Sequence, residues 1–193
     1  EESAITRIAH NINNNHIPQI PDSNSGVNSD AFFVGVDGPE DAAVKIEQLF
    51  VDLLPRRFGF NLSDITVLSP MNKGELGILA LNKRLQARIV PENAGLPKLN
   101  VGELEFRIGD RVCHRVNNYQ LGGSGVFNGD QGKVIGIDQA NRALFVELWD
   151  GREIEYTGDD LFQLDLAYAI TVHRSQGSEI PAVILALHDS HSI

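Results

Sequence analysis

The chain has 193 residues, 42% of them apolar and 22% charged, enough for one large domain or a core with a small second one. No apolar run reaches the roughly 18 residues of a membrane-spanning helix, and a single cysteine, Cys113, excludes an internal disulfide framework and points to a reducing compartment. The formal charge of −10 argues against high-affinity, non-specific nucleic-acid binding, but not against a strand-tracking groove within a larger protein.

The N-terminus, Glu1-Glu2-Ser3, has neither a starting Met nor a signal-peptide pattern and reads as the cut end of a longer chain. Ile5, Ile8 and Ile12 recur at helical spacing and predict a helix over Ser3–Asn15. A polar loop, Ile17–Ser29, separates it from Ala31–Val36, which reads as a buried strand. Pro39 opens a helix to about Leu54. Ile65–Leu68 is a short strand, followed after the Ser69–Gly74 loop by a helix over about Leu76–Ile89. Strand, helix, strand, loop, helix is the order of a parallel sheet with covering helices.

From about Phe106 to Leu164 the pattern changes to short alternating segments: Asp110–Val116, Gly132–Asp138, Ala143–Trp149 and Glu153–Tyr156. Asn128-Gly-Asp130, Asp138–Asn141 and Asp150-Gly151 separate them, and Asp-Gly is a strong hairpin signal. This predicts a small five-stranded barrel of the SH3-like kind, with Trp149 packed in or beside it. Two further buried strands, Leu166–Thr171 and Ala182–Leu187, close the chain. The predicted fold is thus α/β: a parallel-sheet domain over 1–105 and 165–193, with the barrel inserted at 106–164.

Little of this chain carries recognisable catalytic chemistry. A phosphate-cradling P-loop is missing: before Gly132-Lys133 the first glycine position is Phe127, and Val134 cannot hold magnesium. Asp37 after the apolar Phe32–Val36 run imitates a magnesium-binding acid but has no P-loop beside it. Gly122-Gly-Ser-Gly125 precedes no helix and is a loop. His188 and His191 lack a third ligand, so no metal site is assigned, and Asp189, Ser190 and His191 are neighbours in sequence without being a triad. Bases gather at Lys83, Arg84 and Arg88 and at Arg107, Arg111, His114 and Arg115; each group is either a solvated face or a phosphate contact.

The most informative run is Ala167–Glu179, where an apolar strand leads into Thr171, His173, Arg174, Ser175, Gln176, Gly177, Ser178 and Glu179 before the next strand. In open α/β sheets the carboxyl ends of strands are where ligands bind. Thr171 and His173 are two apart, so in extended geometry they face one side and can hydrogen-bond a phosphate. Gln176 and Ser178 add neutral donors, Gly177 allows close approach to the backbone, and Glu179 can accept from a ribose hydroxyl. A network of caps and turns is the alternative reading of the same residues.

Ala169–Glu179 also closely resembles motif V of RecD/TraA-type superfamily 1 DNA helicases. Val67-Leu-Ser-Pro-Met71 with Lys73-Gly74, Gly77-Ile78, Leu81-Asn82 and Leu85-Gln86 is similar to motif IV, although Glu75 stands where the family often has Pro. Phe106–Val112, Asn117-Asn-Tyr119 and Val126–Gly132 resemble the entry to the family's SH3-like insert, domain 2B, and Ser3–Asn13 the segment after motif III. The resemblance implies most of the second RecA-like domain with its barrel, working with an upstream RecA-like domain that carries the P-loop and magnesium-binding acids. It implies 5′-to-3′ translocation on single-stranded DNA, ATP and Mg²⁺ in the full-length protein, and no turnover by this piece alone.

By the same resemblance Thr171, His173 and Arg174 contact DNA, with Ser69, Pro70 and Lys73 on the same track. Asn117, Asn118, Tyr119, Phe127 and Asn128 would form the barrel's contact, with Tyr119 or Phe127 as a stacking platform unless Phe127 is core. Gln176, Gly177, Ser178 and Glu179 would face the nucleotide cleft. Recombination or repair proteins are implied partners, and a cytoplasmic, nucleoid-associated location. The rival readings are a protein- or nucleic-acid-binding module with an SH3-like barrel, a non-catalytic helicase-like accessory domain, and an unrelated phosphate-binding enzyme.

Overall fold

The computed structural model describes residues 3–93 and 95–188, in two compact units that divide after Asp37. In the first unit α1 (Ala4–Asn13) starts at Ser3, whose hydroxyl accepts the Thr6 N–H at 3.3 Å and donates to Asp30 Oδ2 at 2.6 Å. Asp30 Oδ1 accepts the N–H groups of Ala4 and Ile5, at 2.9 and 3.3 Å. A carboxylate thus sits on the positive end of the helix. The Ser3 hydroxyl and these N–H groups hold its carboxyl below the usual range. Ala31–Val36, predicted as a buried strand, forms none: Phe33 makes a single parallel bridge to Asp22 and is 57% exposed. The run is apolar enough for a strand but has no ladder to join.

The second unit opens with α2 (Pro39–Gln48), which passes through a wide π turn at Leu49–Leu53 into α3 (Leu54–Phe58). The helix therefore continues past Leu54, and Pro55 accounts for the irregular turn. A proline ring clashes with the carbonyl four residues earlier and offers no N–H, and a wider turn relieves both conflicts. Next come β1 (Ile65–Ser69) and α4 (Ile78–Ile89). On α4 the residues Ile78, Leu81, Asn82, Leu85 and Gln86 are buried, at the spacing of one helical face. A hairpin that the sequence reading missed, β2 (Lys98–Val101) and β3 (Leu104–Arg107), follows, so the boundary drawn at residue 106 falls inside β3.

The remaining strands are β4 (Arg111–His114), β5 (Gln131–Asp138), β6 (Ala143–Leu148), β7 (Glu153–Tyr156), β8 (Leu164–Leu166), β9 (Ala169–Thr171) and β10 (Ala182–Leu185). Five of them form an antiparallel sheet in the order β7-β6-β5-β4-β8, and β10-β1-β9 form a parallel sheet. The hairpins predicted at Asp138–Asn141 and Asp150-Gly151 are present. The closed barrel is not: β7 and β8 are sheet edges that do not pair with each other.

The predicted strand Leu166–Thr171 is two strands in two sheets. β8 pairs antiparallel with β4, and after Ala167 and Tyr168 the chain re-enters as β9, parallel to β1. Every residue from Leu166 to Ile170 is buried, so no change of periodicity marks the break. Asn82 holds the bend from α4: its Nδ2 donates to Leu166 O (3.1 Å) and Ala169 O (2.8 Å), and its Oδ1 accepts the Ala169 N–H (2.8 Å). Cys113, Ala167 and Ile170 pack together at the joint, with Leu68 against them.

Arg111 fastens the two sheets from the other side. Its guanidinium donates to Ser63 O (3.3 Å), Ile65 O (2.8 Å) and Thr66 Oγ1 (2.9 Å) around β1, and to Gln131 Oε1 (2.8 Å) on β5. Beside it Asp110 accepts from Gln86 Nε2 (2.6 Å), the Arg107 N–H (2.6 Å) and the Tyr168 hydroxyl (3.0 Å). Burial pushes the Asp110 carboxyl up to about 6 and the Tyr168 hydroxyl well above its ordinary value, while it lowers the Arg111 guanidinium. Cys113 is buried beneath them, its thiol pushed up to about 11 by the same loss of water. Arg111 and His114, read as possible phosphate contacts, are therefore interior groups.

Candidate nucleic-acid interface

Ser69 and Thr171 are register partners at the carboxyl edge of the parallel sheet, where β1 and β9 end together. Ser69 is fully buried; its hydroxyl donates to Leu76 O at 2.6 Å and accepts the Met71 N–H at 3.2 Å. Its work is to wind the loop that follows, which corrects its assignment to the DNA track. Gly77 closes that loop so tightly that a Cβ there would lie 2.4 Å from Lys73 O. The winding leaves Pro70 and Lys73 exposed, and the Lys73 ammonium has no ion pair among the described residues.

Thr171 does not continue as extended chain. It caps a short 3-10 turn, Val172–Ser175, with its Oγ accepting the Arg174 N–H at 3.4 Å and Ser175 Oγ donating to Val172 O at 2.8 Å. The expectation that Thr171 and His173 share one face of an extended segment is thereby replaced. The Thr171 hydroxyl keeps its own hydrogen for donation outward, and His173 is exposed without a hydrogen-bond partner among the described residues. Arg174 is not free: Nη1 donates to Asp165 Oδ2 on β8 at 2.8 Å, and Arg115 Nη1 stands 3.6 Å from the other oxygen of the same carboxylate.

Gln176 and Gly177 are exposed, and Gly177 adopts φ 82°, a left-handed conformation that glycine takes without strain. The chain then travels back along the sheet, because β10 starts with Ala182 opposite Ile65, at the amino edge. Ser178 and Glu179 therefore sit away from the carboxyl edge. They line a cleft of about 360 Å³ whose opposite side is the antiparallel sheet, at Gln131 and Trp149.

The other predicted contacts lie in the loop between β4 and β5. Asn117 Oδ1 accepts the Asn128 N–H at 2.9 Å. Asn118 donates from Nδ2 to Asp160 and Gln163, both at 3.1 Å, and accepts from the N–H groups of Gln120 and Leu121. These bonds build the loop and tie it to the segment before β8. What the loop presents is Tyr119 and Phe127, 73% and 41% exposed, edge to face with ring centroids 5.7 Å apart. Phe127 is thus a surface aromatic and not core.

The second basic cluster is interior or paired, with the Arg107 guanidinium bonded to Glu105 and to Val90 O, and the first is largely paired: Arg84 bonds Glu40 and Glu47, and Arg88 bonds Glu47 and Asp52. Lys83 has no ion pair among the described residues. Asn82, Asp165 and Tyr168 were not singled out in sequence as supports of this edge. Polar side chains set inside buried runs were the available signal, since such groups stay buried only with partners.

Two family models match the chain, the ATP-dependent RecD-like DNA helicase SH3 domain over residues 81–148 and the UvrD-like helicase C-terminal domain over 166–192. The chain is 42% identical over 127 residues to the ATP-dependent RecD2 DNA helicase of Deinococcus radiodurans, an alignment covering 66% of this chain and 16% of that protein. Its fold is similar to that of Bacteroides Pif1 bound to ssDNA, with a TM-score of 0.56 at 18% identity over 100% of this chain and 44% of that one. Pif1 helicase from Bacteroides in complex with ADP-AlF3 and ssDNA gives the same TM-score and identity over 97% of this chain and 44% of that one. The chain thus spans less than half the length of these relatives. Two helicase models in the expected order, and 42% identity to a RecD2 DNA helicase over 127 residues, support a fragment of a RecD-type superfamily 1 helicase.

Proposed function

We propose that this chain is the strand-contacting part of a longer ATP-dependent 5′-to-3′ DNA helicase, provides one wall of the ATP cleft, and does not turn over ATP by itself. One observation carries the reading. The Thr171–Gln176 run leaves the carboxyl edge of an open parallel sheet beside the Pro70–Lys73 loop, with the Thr171 hydroxyl hydrogen, His173, Gln176 and Lys73 all available to solvent. Thr171 and His173 donate to successive phosphate oxygens, and Lys73 supplies the unpaired positive charge. Tyr119 and Phe127 stack on bases, which contributes about 1–3 kcal/mol per base. The names of the relatives support this reading: one is an ATP-dependent DNA helicase, and the others are Pif1 structures with ssDNA.

The side chains present suit a nucleoside better than a triphosphate. Gln176 and Glu179 are exposed and unpartnered, but the arginine of the segment, Arg174, is occupied by Asp165, and among the described residues no three metal-ligating groups converge. We therefore assign the triphosphate and Mg²⁺ to an upstream RecA-like domain of the same protein, acting in the cytoplasm, with recombination or repair proteins as partners. The organisation that goes with it is a RecA-like domain over 1–105 and 165–193 with the SH3-like insert at 106–164.

The test is Thr171→Ala with His173→Ala in the full-length helicase. Single-strand binding should weaken about 10- to 100-fold, about 1.4 kcal/mol per factor of ten. Undiminished binding and unwinding would remove the DNA role, and sustained ATP hydrolysis by the 193-residue chain would remove the claim that it holds half a site.

A further inference from the structure

We propose that the cleft between Glu179 and Trp149 is a binding site for a single nucleobase, with the Trp149 indole as its stacking surface. The inference rests on the reading above that the Thr171–Glu179 run meets nucleic acid or nucleotide, and it names what that run's far end holds.

Trp149 directly follows β6, and its backbone N–H donates to Gln131 O at 3.0 Å, so its position is fixed by the sheet. Its side chain is half open to solvent: the residue is 53% exposed, and the indole N–H has no acceptor among the described residues. An anchored backbone with an open aromatic face is the arrangement that stacking platforms use. Across the cleft lie Ser178, Glu179 and Pro181. Glu179 is exposed and forms no hydrogen bond or ion pair among the described residues, so its carboxylate is free to accept from a base amino group. Gln131 and Arg111 line the inner end, but the Arg111 donors are taken by Ser63, Ile65, Thr66 and Gln131.

The cleft thus offers an aromatic surface, a proline, a hydroxyl and the unpaired Glu179 acceptor, beside Asp130 and Asp150, which are both paired with Arg152, and no free cation. That chemistry suits a base edge and turns away its phosphate, which stays outside. A volume of about 360 Å³ is at the small end of the roughly 300–1,000 Å³ range of ligand sites and suits one base with its sugar. The base could come from a DNA strand or from the adenine nucleotide, and the same chemistry serves both.

Trp149 is the single tryptophan of the chain, so its fluorescence reports on this cleft alone. The 193-residue chain is titrated with oligo-dC, with an abasic oligonucleotide of equal length, and with ATP, while binding of the labelled oligonucleotides is followed in parallel by anisotropy. Saturable quenching by oligo-dC but not by the abasic strand assigns the site to a base of the strand, and quenching by ATP alone assigns it to the cofactor's base. Anisotropy showing oligo-dC binding with Trp149 emission unchanged in every titration overturns the cleft and leaves the strand contacts standing. No binding of either oligonucleotide, together with no quenching by ATP, overturns both readings.

Discussion

Asn82 grips Ala169 by both of its backbone groups, accepting from its N–H and donating to its carbonyl at 2.8 Å each. A helix side chain here acts as a neighbouring strand would, at the point where the chain leaves one sheet for another.

Replacing that amide with an isosteric apolar group leaves three buried backbone groups unsatisfied, those of Ala169 and the carbonyl of Leu166. Asn82→Leu should destabilise the chain by about 2–4 kcal/mol, since an orphaned buried polar group costs roughly 1–3 kcal/mol and the bend can relax in part. Urea denaturation followed by circular dichroism measures this. A loss below roughly 0.5 kcal/mol, the level of an ordinary surface change, would show that the bend does not depend on Asn82.

Asp110 makes a pH prediction whose sign follows from its burial. Its folded value, about 6, lies above the ordinary 3.8, so between these values the folded chain holds a proton that the unfolded chain has lost. Its contribution to stability is therefore full below about pH 4, falls as pH rises toward 6, and is level above. The total is about 3 kcal/mol, at 1.36 kcal/mol per pH unit. Asp110→Asn, with its amide donating to Tyr168 and its oxygen still accepting from Gln86 and Arg107, should remove this slope. Unfolding free energies of the two proteins at pH 4, 5, 6 and 7 should converge on the acid side; a constant difference across the range counts against the buried proton.

Asp165 restrains the arginine nearest to the proposed strand. In the full-length helicase Asp165→Asn should release Arg174, tighten single-strand binding at low salt, and steepen its dependence on log salt by roughly 0.7 for each phosphate gained. An unchanged slope, with binding intact, would show that Arg174 serves only to hold β8 against the turn.

The elements that repeat a simple period were legible in the sequence: α1, α4, β1 and the two hairpins of the antiparallel sheet each stand within a few residues of their prediction. Three failures have separate physical causes. Phe33 lies in an apolar run that no strand accompanies. Leu166–Thr171 changes sheets inside unbroken burial, where inside-outside alternation carries no information. The β2–β3 hairpin turns on Gly102-Glu103 with Gly102 at φ 59°, and its strands are only four residues each, too short for alternation to stand out beside one glycine. At the candidate site the postures of the side chains were not legible. Thr171 caps a turn, Ser69 faces inward, and Arg174 is engaged, because side-chain partners from distant strands decide these and sequence spacing does not.

Arg111 has a further consequence for how such a protein is assembled. Its five-donor fork stands on β4 of the antiparallel sheet but ends on Ser63, Ile65 and Thr66, at the start of β1 in the parallel sheet. Excised, the antiparallel sheet would carry a buried cation stripped of three of its four acceptors, and the parallel sheet would be left with bare carbonyls at the head of its central strand. The two are therefore not separable modules joined by a seam. They should melt as one cooperative body, and transplanting the small sheet into another scaffold would require carrying the start of β1 along with it.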